Sequence, residues 1–107
     1  MYDIAASIIQ EYIEENLFEP ECSWPEEEFS IRCYERWAGN ELLDRITRES
    51  MLPPEFISAN PLRTPYKIIE EFIDEMDYQA SHTDNKSHHF IFSTARDTAI
   101  DIVLLFV

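Results

Sequence analysis

Residues 90–107, FIFSTARDTAIDIVLLFV, decide the fold class of this chain. Two strands are one way to read them. Phe90-Ile91-Phe92 and Ala99–Val107 are rich in β-branched and aromatic residues, and a turn near Arg96-Asp97 would give an α+β fold with a C-terminal hairpin at 89–106. A helix is the other. Thr94 and Asp97 have capping-box spacing, and Ala95, Ala99, Ile102, Val103 and Phe106 recur on one helical stripe. Ile100, Leu104 and Leu105 widen that stripe until the segment is apolar nearly all round, as in a central helix. Cap and stripe together favour the helix.

The preceding segment agrees. Thr64-Pro65 reads as a helix start, with Thr64 as cap and Pro65 in the first position. Ile68, Ile69, Phe72, Ile73 and Met76 then make a buried stripe, with Glu70, Glu71, Asp74 and Glu75 on the other side. Residues 80–88 are polar and read as a loop. Residues 51–64 form a proline-rich connection in which Glu55–Ser58 could make a helical turn.

Further upstream, Ser23-x-x-Glu26 has capping-box spacing, with Pro25 in the first turn and Glu26, Glu27 and Glu28 near the positive end of the helix dipole. At about 100° per residue, Phe29, Cys33, Tyr34 and Trp37 point one way, while Leu42, Leu43 and Ile46 point roughly opposite. A straight helix could not bury both sets against one neighbour. The sequence therefore predicts a break at Gly39, a left-handed C-cap, with Asn40 capping a new helix to about Glu49. The alternative is one continuous helix at the centre of the bundle. Tyr2 to about Asn16 is an amphipathic helix burying Ile4, Ala5, Ile8, Ile9, Tyr12 and Ile13, with Glu11, Glu14 and Glu15 opposite. A single glycine leaves little provision for tight β-turns, and no repeat is present. The expected fold is all-α: a compact single-domain bundle of four to five helices over residues 1–107.

Charge is the other strong signal. The chain has 22 acidic and 8 basic residues, net −14. Residues 1–28 hold no Lys or Arg, whereas Arg32, Arg36, Arg45, Arg48 and Arg63 are matched by acids in 29–64. Glu28–Arg32, Glu41–Arg45 and Asp44–Arg48 are i,i+4 pairs with the acid first, the favourable order. The arginines are thus occupied locally. A field this negative repels nucleic acid and anionic lipid, so neither direct nucleic-acid binding nor membrane association is expected. With 45% hydrophobic residues the chain is nonetheless no disordered acidic tail. Without a leader pattern, a spanning segment or a cysteine framework, it is expected to be cytoplasmic, with Cys22 and Cys33 reduced.

No constellation carries catalysis. The acids sit on helix faces open to water, where nothing raises a carboxyl pKa for acid–base work. One glycine removes phosphate-binding and dinucleotide-binding loops. Cys33 belongs to an apolar stripe, and the acids around Cys22 oppose a thiolate there. Trp37 reads as core; Trp24 reads as a staple against the first helix or an exposed anchor. His82, His88 and His89, with Asp84, are weak candidate metal ligands, because no Glu-x-x-His or zinc spacing is present. No cofactor is expected.

Three functional expectations follow. The first is a non-enzymatic protein-interaction module whose acidic residues Glu11, Glu14, Glu15, Glu70, Glu71, Asp74 and Glu75 dock on a basic protein surface. The second is a nucleic-acid mimic of the type mobile elements carry, inhibiting a DNA- or RNA-binding protein. The third is a metal-binding bundle. The apolar C-terminal helix also offers a homodimer surface.

Overall fold

A computed structural model describes residues 2–17, 19, 21, 23–51 and 64–106. It contains four α-helices, with no strand among the described residues. They are α1 (Tyr2–Asn16), α2 (Glu26–Ser50), α3 (Pro65–Ser81) and α4 (Lys86–Val103), and a 3₁₀ turn follows at Leu104–Phe106. The described residues form an all-α bundle of four helices, and the C-terminal hairpin is overturned.

The segment that decides the fold is helical earlier than expected. Asn85 caps α4 by accepting from the His88 amide at 3.1 Å. Phe90, Ile91 and Phe92 therefore lie in the first turns of α4 rather than in a strand. Thr94 is interior: its carbonyl accepts from the Thr98 hydroxyl, so the Thr94–Asp97 capping box does not form. The polar loop shrinks from 80–88 to residues 82–85. Ala95, Ala99 and Ile102 are buried as expected, but Ile100, Leu104 and Leu105 are exposed. α4 packs on α2 and α3 from one side and is not the central helix.

That position belongs to α2. It runs unbroken through Gly39, which does not adopt positive φ, so the predicted break is wrong. Its two apolar directions serve different neighbours. Tyr34 meets Phe90 of α4 edge to face at 5.8 Å, and Trp37 meets Phe72 of α3 at 6.1 Å. Ala38, Leu42 and Ile46 are fully buried in the core. Gly39 is needed for close approach rather than for turning. A Cβ there would lie 2.8 Å from Leu17 Cδ1 and 3.0 Å from Ile13 Cγ1, so a larger residue would force these side chains to shift.

The start of α2 also differs. Pro25 occupies the cap position with no side-chain cap bond, so the Ser23–Glu26 box is not made. Glu26, Glu27 and Glu28 still occupy the first turn, where the dipole favours them. Thr64 does cap α3, accepting from the Lys67 amide at 3.2 Å. Trp37 is 44% exposed and so is not core, and Cys33 is half-buried. Trp24 is half-buried too. The expected turn at Glu55–Ser58 and the environment of Cys22 lie outside the described residues.

The core joins Ile9 and Ile13 of α1, Leu42 and Ile46 of α2, Ile68, Ile69 and Phe72 of α3, and Ala95, Ala99 and Ile102 of α4. The small residues Ala95 and Ala99 allow α4 to lie close against its neighbours. No described helix is long and apolar enough to cross a membrane.

Candidate functional site

The described arginines are paired with acids of the chain itself. Arg45 reaches Glu41 of its own helix at 3.2 Å and Glu75 of α3 at 2.9 Å, and its guanidinium lies 5.0 Å from the centre of the Phe72 ring. Burial alone would lower the Arg45 pKa. The hydrogen bonds to Glu75 and Glu41 outweigh it and hold the group above its ordinary value. Arg48 pairs with Asp44 at 3.0 Å. Arg32 bonds Glu35 at 3.0 Å rather than Glu28, the expected partner. Arg36 donates to the Leu17 carbonyl and lies 3.8 Å from Glu19. Arg96 joins α4 to α3 through Asp77 at 2.8 Å and also holds Asp97. Each of these arginines faces an acid of the same chain.

That leaves the acids of α1 and α3 in different states. On α3, Glu75 is tied to Arg45 and Glu70 to Lys67 at 3.2 Å. The bond from Glu70 and the nearby Glu71 and Asp74 charges push the Lys67 pKa up. Much of this face is therefore neutralised. On α1, Glu14 accepts from Gln10 at 3.0 Å, a neutral partner. Glu11 and Glu15 are exposed and form no ion pair with a described residue. Exposed acid without an ion pair to a described residue therefore lies on α1, and also at Glu26, Glu27 and Glu28 in the first turn of α2.

The two acidic faces flank one strip of α2. Glu11 and Glu14 border a shallow groove with Leu43 and Thr47. Glu71 borders another with Glu41, Arg45, Arg48 and Glu49. Leu43 and Thr47 lie on one flank of α2's second half and Glu41 and Arg45 on the other, with exposed Asn40, Asp44 and Arg48 between them. A path of carboxylates from α1 to α3 over this strip of α2 thus meets the guanidinium groups of Arg45 and Arg48.

The three histidines serve the α3–α4 connection. His82 Nδ1 donates to the Tyr78 carbonyl at 2.8 Å, and its ring stacks on Tyr78 at 3.9 Å. His89 Nδ1 donates to the Ala80 carbonyl at 2.8 Å. The His88 ring meets the Phe92 edge at 6.4 Å. Among the described residues, no three His, Cys, Asp or Glu side chains gather in metal-binding geometry.

One feature was missed from the sequence. Ile4, assigned to the buried stripe of α1, is 68% exposed and lies beside exposed Tyr66 in an apolar groove. The spacing Ile4, Ile8, Glu11, Glu15 could have revealed it, because these residues fall on one stripe of a helix. The chain matches no known family model, no curated relative and no solved structure.

Proposed function

We propose that this chain is a non-enzymatic protein-interaction module that uses the α1 acidic face, centred on Glu11, Glu14 and Glu15, to dock on a basic protein surface. One observation carries it: each described arginine is paired with an acid of its own chain, while Glu11 and Glu15 have no cationic partner among the described residues. Charge left uncompensated on one exposed helix speeds encounter with an oppositely charged surface and selects among partners. The acids of α3 are a secondary contribution, since Glu70 and Glu75 already hold Lys67 and Arg45. The nucleic-acid mimic has less support, because Arg45 and Arg48 interrupt a phosphate-like row across α2 between the two helices. The metal-binding reading has no gathered ligand set behind it among the described residues.

The test is affinity purification at low and high salt, with wild-type chain and with E11Q/E14Q/E15Q. Basic proteins should dominate the low-salt set, fall away at high salt and be depleted by the variant. A partner set indifferent to both salt and variant would sink the proposal. Enrichment of nucleic-acid-binding proteins competed by free DNA or RNA would favour the mimic instead.

A further inference from the structure

The stripe Ile4–Ile8–Glu11–Glu15 changes character along its length. Its apolar half enters a groove of about 350 Å³ lined by Ile4, Ala5, Ile8, Pro65, Tyr66 and Phe106. Ile4 is 68% and Tyr66 38% exposed, so large apolar surface is left facing water there. The acidic half continues beyond the groove. Tyr12, one residue from Glu11, is half-buried beside α4 and α2. Burial pushes its hydroxyl pKa up, and the carboxylates of Asp101 and Glu35 push it further. By helical spacing, Glu11 and Glu15 of α1 continue the line of Ile4 and Ile8 beyond the apolar groove, and Asp101 of α4 acts on neighbouring Tyr12.

We infer that this groove and its acidic extension receive a basic amphipathic helix of a partner protein. Its apolar side chains would sit against Ile4, Ile8, Tyr66 and Phe106, and its Lys or Arg side chains against Glu11, Glu15 and Asp101. The inference rests on the basic-partner proposal above and adds the location and form of the partner. Charge complementarity selects this occupant. A second copy would bring a further Glu11, Glu15 and Asp101 to this stripe on a chain of net charge −14 and would offer them no excess of cationic side chains, so like charge opposes association. A cationic helix with apolar anchors satisfies both halves of the stripe, as in helix-in-groove recognition.

Two labelled peptides of equal positive charge separate the possibilities by fluorescence anisotropy. One is an amphipathic Leu/Lys helix; the other is a Gly/Lys chain without apolar anchors. Ile4→Ser and Tyr66→Ser alter exposed side chains, and circular dichroism checks that each variant folds. Each should weaken the Leu/Lys peptide about tenfold, a usual effect of truncating an interface anchor, and leave the Gly/Lys peptide unchanged. E11Q/E15Q should weaken both. If Ile4→Ser and Tyr66→Ser leave Leu/Lys binding intact while E11Q/E15Q reduces it, the groove is wrong and the basic-partner proposal stands. If E11Q/E15Q affects neither peptide, both fail. A wild-type dimer on light scattering that Ile4→Ser converts to monomer would make a second copy the occupant and overturn the inference.

Discussion

The Cβ that any other residue would place at Gly39 falls 2.8 Å from Leu17 Cδ1. Gly39 keeps helical geometry, and its missing side chain provides the space that Leu17 and Ile13 occupy. Gly39→Ala should add helix propensity of roughly 1 kcal/mol but crowd Leu17 and Ile13 at a cost of roughly 1–3 kcal/mol. The net expectation is a loss of about 1 kcal/mol in chemical denaturation. In a Leu17→Ala background the loss should shrink, because the nearest contact is gone and only Ile13 still crowds the Cβ. Stabilisation by Gly39→Ala alone would contradict the close-approach account.

The helix starts give a second, opposed pair of expectations. Asn85→Ala removes the oxygen that accepts the His88 amide and should cost about 1 kcal/mol. Ser23→Ala should be nearly neutral, since α2 begins without a side-chain cap. Thermal denaturation of the two variants checks this. Equal losses would restore the capping box at Ser23.

Arg45 links α2 to α3, and its contacts are separable. Glu75→Gln removes one half-exposed ion pair and should cost about 0.5 kcal/mol at low salt, vanishing at high salt. Arg45→Ala also loses Glu41 and the Phe72 ring face and should cost about 1–2 kcal/mol, with a remainder that salt does not remove. A loss abolished by salt in both variants would show that the ring contact contributes nothing.

Tyr12 predicts alkaline behaviour. Burial first, then Asp101 and Glu35, raise its pKa in the folded chain. Its contribution to stability is therefore complete below the ordinary tyrosine pKa and is lost as pH rises through the raised folded value. A spectroscopic titration of phenolate should show one late-ionising tyrosine, absent in Tyr12→Phe. Loss of an early-ionising group in that variant would contradict the placement of Tyr12.

Periodicity made most of this fold legible. The α3 stripe from Ile68 to Met76 and the Thr64 cap stand as the sequence implies, because one-sided burial and a threonine–proline start are local signals. The errors share a cause. Gly39, Thr94 and Ser23 each carry a local cap signal, and at each something outside that signal decides. Gly39 makes room for Leu17, Thr94 sits inside a helix that Asn85 begins, and Ser23 lies outside a helix headed by Pro25. For the candidate surface, the acids were legible as residues but their neutralisation was not. Glu75–Arg45 and Asp77–Arg96 join different helices, and sequence spacing carries no trace of such pairs.

The central claim is that available negative charge resides on α1 rather than α3. Amide chemical shifts of the labelled chain, followed while oligolysine is added at low salt, test it directly. The account predicts saturating shifts around Glu11, Glu14 and Glu15, weaker changes from Glu70 to Glu75, and loss of the α1 response in E11Q/E14Q/E15Q. Equal shifts along both helices, or none on α1, would contradict it.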